Sequence, residues 1–110
     1  MKAAVVRKLI SELEAEINNG GFDQFFFNSA GDKTAEAIAA LQAVGALHTA
    51  KLVRVAAAKF PGGMPPTNRR KRQKLLSESV SPESDAFEDD DAAFLEYRDD
   101  LETLAAKYAV

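Results

Sequence analysis

The chain has 110 residues, 46% of them hydrophobic and 28% charged, a balance typical of one globular domain rather than of a fibrous or disordered chain. Cysteine is absent, which excludes disulfides, thiolate catalysis and Cys-ligated zinc or iron–sulfur centres. No apolar run approaches the ~20 residues that span a bilayer, and the first residues lack the apolar stretch of a signal peptide. We therefore expect one domain, residues 1–110, in the cytoplasm and without a membrane partner.

The net charge of −3 conceals an uneven distribution of charge along the chain. Residues 1–64 carry 7 basic and 6 acidic side chains, which nearly cancel. Residues 69–74 carry five positive charges, whereas residues 78–102 carry eleven acidic side chains against Arg98 alone. Such a concentration of negative charge creates a field that attracts positively charged partners.

The first third of the chain predicts two helices. Apolar residues spaced by three and four predict an amphipathic helix over residues 2–18, and Gly20 and Gly21 are suited to end it. The stretch 22–28 contains four phenylalanines and is short enough for a strand, but no second strand-like run exists to pair with it. We therefore predict a short helix there, with all four phenylalanines anchoring the core.

The middle of the chain is rich in alanine, which favours helices that pack closely. After a turn at residues 29–32, the pattern predicts helices over 33–44 and 46–60, separated at Gly45. Residues 61–68 contain three prolines and two glycines and are predicted to form an internal loop.

The last third predicts a short helix from residue 69 to about 76 and a longer one near the end of the chain. Ser81, followed by Pro82 and Glu83, is a favourable start for a helix. An apolar stripe from Phe94 to Tyr108 predicts one continuous helix over residues 92–108. No strand pattern occurs, so the predicted fold class is all-α: a compact single-domain bundle of about five to six short helices.

We find no arrangement of residues suited to catalysis or to metal binding. His48 is the only histidine, and its helical neighbours offer no partner for a general base or a zinc site. Ser29 lacks the leading glycine of a nucleophile elbow. A calcium-binding loop over residues 85–96 would put Asp90 where that loop requires glycine. We therefore predict a protein that is not an enzyme, with no catalytic, cofactor-binding or metal-binding residues.

The basic cluster at residues 69–74 could contact phosphates. No aromatic residues are interleaved with it, however, and the acidic segment that follows would compete for the same cations. We favour an exposed helix or loop that partly neutralises the acids, and consider direct contact with nucleic acid less favoured. An accessory protein that contacts nucleic acid through this cluster is the alternative function, and its candidate contacts are Arg69, Arg70 and Arg72.

The acidic segment has two interpretations. It could be a solvated helix face that keeps the protein soluble, or a surface for a basic partner. On a continuous last helix, Glu96, Asp99, Asp100 and Thr103 would project together, and carboxylates along a helix can imitate part of the phosphate field of DNA. The candidate partner-binding face consists of Asp85, Glu88, Asp89, Glu96, Asp99 and Asp100.

The residues around the first glycine pair read Asn19-Gly20-Gly21-Phe22-x-Gln24-x-Phe26-Phe27-Asn28-Ser29-x-Gly31. This block resembles the signature of a bacterial family, the DNA-mimic-protein-like domain, long classified as a domain of unknown function. Further matches follow in order, and the resemblance covers about residues 12–108. They are Ala40-Leu41-x-x-Val44-Gly45-Ala46, Ala50-x-Leu52, Phe60-Pro61 and Asp91-x-x-Phe94-x-x-Tyr97-x-x-Asp100-Leu101.

The resemblance implies an all-α fold without catalytic residues. In the family's namesake, a dimer presents acidic side chains as imitation phosphates and sequesters a DNA-binding transcription factor. For this chain it implies a protein partner that is basic and binds DNA, and it leaves a homodimer open.

Overall fold

The structure, a computed structural model, describes residues 1–108, and within that range its regular elements are helices without any strand. The all-α prediction is therefore confirmed. The Cα radius of gyration is 13.2 Å, close to the ~13 Å expected for a compact chain of this length. No helix within the described range is both long enough and apolar enough to cross a membrane. The α-helices are α1 (Ala3–Phe27), α2 (Thr34–Ala43), α3 (Leu47–Ala57), α4 (Arg69–Leu75), α5 (Glu88–Leu95) and α6 (Leu101–Lys107).

Helix α1 is interrupted where the sequence predicts the first helix to end. Gly20 and Gly21 have non-helical backbone angles, with φ of 72° at Gly21, and helical geometry resumes at Phe22. The segment after the interruption is helical, so the prediction of a short helix there is confirmed. Before the interruption, one face of the helix is buried in the core: Val6, Leu9, Ile10, Leu13 and Ile17.

The second part of α1 provides the aromatic centre of the core. Phe22, Phe25 and Phe26 are at most 1% exposed, and the centroid of the Phe26 ring lies 5.0 Å from the centroid of the Phe60 ring. The expectation that all four phenylalanines are core residues is wrong for Phe27, whose side chain is 50% exposed. Spacings of three and four place the other three on one side of the helix, whereas Phe27 falls outside that face.

The middle helices pack around α1. Helix α2 contacts α1 and α3, and α3 contacts α5. The predicted break at Gly45 is present, with φ of 84°. The predicted loop at residues 61–68 contains a short 3-10 turn, Pro61–Gly63.

The expected helix start at Ser81 is wrong. Ser81 has φ of −140° and ψ of 60°, and its hydroxyl accepts a hydrogen bond from Ala86 N at 3.2 Å. It closes a turn that follows the π-helical segment Leu76–Val80, and α5 begins only at Glu88. The serine thus satisfies a loop amide rather than a helix N-terminus.

The single helix expected over residues 92–108 is also wrong, because α5 and α6 are separate helices. The chain leaves α5 through Tyr97, which has a left-handed φ of 48°, and α6 starts after Asp100. Contacts distant in sequence hold this break. The hydroxyl of Tyr97 accepts a hydrogen bond from Asn18 on α1, and Asp99 binds to α3.

Candidate interaction surface

The structure divides the acids of residues 78–102 into two groups. In the first group, the carboxylates accept hydrogen bonds from within the chain, and Asp100 does so from its own helix: Asp90, Asp91, Asp99 and Asp100. In the second, the side chains are exposed and have no ion-pair partner within 4.0 Å among residues 1–108: Glu78, Glu83, Asp85, Glu88, Asp89, Glu96 and Glu102.

Asp90 and Asp91 fix α5 on the rest of the molecule. Asp90 is buried and pairs with Lys59 at 2.7 Å, and the same ammonium group donates to the carbonyl oxygen of Ala86 at 2.6 Å. Asp91 accepts a hydrogen bond from Phe22 N at 2.8 Å, and burial raises the pKa of its carboxyl group. The two neighbouring aspartates therefore anchor the same helix to α1 and to the turn that follows α3.

Asp99 and Asp100 stabilise helix beginnings. One oxygen of Asp99 accepts from both the backbone N and the hydroxyl of Thr49, at 2.8 and 2.9 Å, in the first turn of α3. Asp100 caps α6 through Thr103, and these hydrogen bonds lower the pKa of Asp100. The expected common face of Glu96, Asp99, Asp100 and Thr103 depends on one continuous helix, and the break between α5 and α6 removes that basis.

A compact set of exposed acids remains around the beginning of α5. Glu83 and Asp85 lie in the preceding loop, and Glu88 and Asp89 lie in the first turn. We call these four residues the α5 acidic surface. Negative charge is favourable at a helix N-terminus, so this placement costs the fold little. Three of the six predicted acidic residues fall on this surface, and Glu96 is exposed at the other end of the same helix.

A second acidic surface, which the sequence did not predict, lies in a shallow groove between α1 and α6. Glu14 and Glu102 line it together with Tyr97, Asp100 and Leu101. Burial, together with the charge of Glu102, raises the pKa of Glu14. The two glutamates are far apart in sequence, so only the packing of the terminal helices could reveal this groove.

The basic cluster is also divided by the fold. Arg72 is completely buried, so its guanidinium does not face a partner. Arg69 is half exposed and pairs with Asp32 at 2.8 Å. Arg70 is exposed and has no ion pair within 4.0 Å among the described residues. Of the three predicted basic contacts, the structure thus leaves Arg70 unengaged.

The structure shows where the residues considered for catalysis and metal binding lie. Within residues 1–108, no three His, Asp or Glu side chains lie close enough together to hold a metal ion. His48 is partly exposed on α3, and Ser29 is exposed in the 3-10 turn Ser29–Lys33. Neither forms a hydrogen bond through its side chain within the described residues.

The block of residues around Gly21 serves the fold. Gly21 combines its positive φ with a position beside the Asp91 carboxylate where a Cβ atom would not fit. Asn28 donates from its side chain to Glu16 at 2.9 Å, and its carbonyl oxygen accepts from Arg72 at the same distance. Gly31 leaves room for the Arg72 guanidinium. These residues therefore hold the aromatic core, α4 and α5 together.

A known protein family matches nearly the whole of this chain. The model of the DMP19-like protein family matches residues 4–110, which include the whole signature block. No curated protein and no solved structure matches the chain. Since the family match extends over nearly the entire sequence, the chain belongs to the DMP19-like protein family.

Proposed function

We propose that this chain is a non-enzymatic interaction protein whose α5 acidic surface binds a basic DNA-binding protein in place of DNA. The observation that carries the proposal is the exposure of Glu83, Asp85, Glu88 and Asp89 within seven consecutive residues, with no cation within 4.0 Å of them in the described chain. Membership of the DMP19-like family supports the same conclusion.

Rigid presentation of the carboxylates favours this mode of binding. Glu88 and Asp89 precede the two aspartates that pin α5 to Lys59 and to Phe22. Because the helix is already fixed, little conformational entropy is lost when a partner engages its exposed side chains. DNA presents about one negative charge per 1.7 Å of its axis, and a local cluster of carboxylates reproduces part of that density.

The test compares three baits in extracts of the cells that produce this protein: the wild type and two triple variants of equal charge. The first variant removes the charges of the acidic surface (Asp85→Asn, Glu88→Gln, Asp89→Asn). The second removes three acids elsewhere (Glu12→Gln, Asp23→Asn, Glu36→Gln). We expect the wild type and the second variant to retain basic DNA-binding proteins at about 50 mM salt and to release them at about 200 mM, because charge contacts weaken with salt.

The captured protein is then mixed with its labelled DNA. Wild-type chain should displace the DNA, and the variant of the acidic surface should not. Equal retention by both triple variants would refute the assignment of the surface. Capture without displacement of DNA would refute mimicry.

A further inference from the structure

A second charged surface, of opposite sign, lies on α4. The buried side of this helix is set by Arg72, and the exposed side carries Arg70, Lys71 and Lys74. We call these three residues the α4 basic face. Residues at i, i+1 and i+4 fall within about 100° of a helix circumference, so the three cations point in neighbouring directions.

The contacts of Arg72 fix the rotation of α4 and therefore the direction of this face. Its guanidinium donates to the carbonyl oxygens of Phe26 at 2.6 Å and Asn28 at 2.9 Å, and to Asp32 at 2.6 Å. It also donates to Pro66 at 3.0 Å and Thr67 at 3.3 Å, on the loop before α4. A helix held by so many hydrogen bonds cannot turn its exposed lysines toward the core.

The cations of the α4 basic face are not neutralised by the chain itself. Among residues 1–108, none of the three has a carboxylate within 4.0 Å. Lys71 and Lys74 line a shallow groove with Pro66, Leu75 and Glu78, and Glu78 is the one acid at its border. The neighbouring Arg69, by contrast, is engaged by Asp32.

From this arrangement, we propose that the α4 basic face binds the phosphate backbone of duplex nucleic acid without reading its sequence. Arg70 and Lys74 are about 6 Å apart along the helix axis, comparable to two phosphate steps of about 3.4 Å on one strand. The face contains no aromatic side chain, so it lacks the stacking contacts typical of single-strand binding. The exposed acids on α5 are carried by another helix, and none of them forms an ion pair within 4.0 Å with a cation of the α4 basic face.

The test measures fluorescence anisotropy of a labelled duplex of arbitrary sequence, about 20 base pairs long, with the full chain at about 50 mM salt. Three phosphate contacts predict a slope of log affinity against log salt of about −2.7. The variant Arg70→Gln, Lys71→Gln, Lys74→Gln should lose at least about tenfold in affinity and most of that slope. The matched control, Lys2→Gln, Lys51→Gln, Arg54→Gln, changes the net charge equally and should stay within about twofold of wild type.

A single substitution tests whether removing a negative charge beside the α4 basic face strengthens duplex binding. Glu78→Gln removes the acid at the border of the groove and should strengthen duplex binding. Absence of duplex binding by the wild type, or equal weakening in both triple variants, would overturn the proposal. Binding of a polyglutamate peptide at equal or higher affinity would overturn it in favour of an acidic protein partner. The proposal does not depend on the α5 acidic surface, because the two surfaces consist of different residues. Neutralising Asp85, Glu88 and Asp89 should therefore not abolish duplex binding.

Discussion

Arg72 and Asp32 form an ion pair, 2.6 Å between Nη2 and Oδ1, in which the guanidinium is fully buried and the carboxylate side chain is 30% exposed. The pair joins α4 to the turn that follows α1. Carbonyl oxygens satisfy the remaining guanidinium donors, so the buried charge is compensated on every side. The most cationic stretch of the chain thus contributes its central arginine to the fold.

Replacing this arginine should severely destabilise the protein. Arg72→Gln removes the ion pair and leaves buried carbonyl oxygens, among them that of Phe26, without their donor, at a cost of about 3 kcal/mol or more. Urea denaturation followed by circular dichroism measures this cost. Arg70→Gln, a change of equal charge on the exposed side of the same helix, should cost less than about 0.5 kcal/mol. Similar losses in the two variants would contradict the structural role of Arg72.

Asp32 should make stability depend on acid pH. Hydrogen bonds from Arg69, and then from Arg72, hold the pKa of Asp32 at about 2, below its usual 3.8. Because the folded-state pKa is lowered, the stabilisation is complete above the unfolded-state value and is lost as the pH falls toward about 2. The free-energy difference between wild type and Asp32→Asn should therefore shrink as the pH falls from about 5 to about 2. A difference that stays constant over this range would show that the carboxylate is not the titrating group.

Two phenylalanines next to each other in sequence should respond very differently to truncation. Phe26 is fully buried among other rings, and Phe26→Ala should cost about 3–5 kcal/mol through lost burial and a cavity. Phe27→Ala should cost at most about 1 kcal/mol, since half of its side chain is already exposed. Thermal melting of both variants separates these expectations. A large loss on truncation of Phe27 would mean that another molecule or copy covers it.

Much of the helical organisation follows from local sequence, and the failures have a common physical cause. The glycine pair and the alanine-rich helices were predictable because backbone freedom and apolar periodicity act over a few residues. The break after Leu95 was not predictable, because contacts distant in sequence hold it. Asn18 lies 79 residues from its partner Tyr97, and Thr49 lies 50 residues from its partner Asp99. Burial of Arg72, rather than of its neighbours, likewise depends on carbonyl oxygens elsewhere in the fold. The members of the α5 acidic surface were predicted in part. The sequence shows where acidic residues are concentrated, but it does not show which of them form hydrogen bonds or ion pairs within the chain.

Gly21 should be intolerant of a side chain for two separable reasons. Its φ of 72° and ψ of −170° lie in a region that is essentially restricted to glycine and costs other residues about 1–3 kcal/mol, and a Cβ atom would collide with the Asp91 carboxylate. Gly45 supplies the matched control, because its φ is 84° but no atom lies within 4 Å of the position that a Cβ atom would occupy there. Gly21→Ala should therefore lower the free energy of unfolding by more than Gly45→Ala, as measured by urea denaturation. Equal losses would mean that the backbone conformation alone accounts for the effect.

Asp99 and Asp89 both contribute negative charge near the C-terminal half of the chain, yet we expect their substitution to affect different properties. Asp99→Asn weakens the hydrogen bonds to Thr49 in the first turn of α3 and should lower stability by about 0.5–2 kcal/mol. Asp89→Asn removes one exposed charge from the α5 acidic surface and should leave stability within about 0.5 kcal/mol of wild type.

The same two variants, each with one charge removed, distinguish structural from binding acids when they are used as baits below their melting temperatures. Asp89→Asn should retain less of the basic partner than wild type, whereas Asp99→Asn should retain as much. We expect this difference because one carboxylate oxygen of Asp99 is held against Thr49 and the residue is only partly exposed, whereas Asp89 is exposed at the start of α5. If Asp99→Asn loses the partner while Asp89→Asn keeps it, the binding surface lies near the start of α3 rather than at the start of α5.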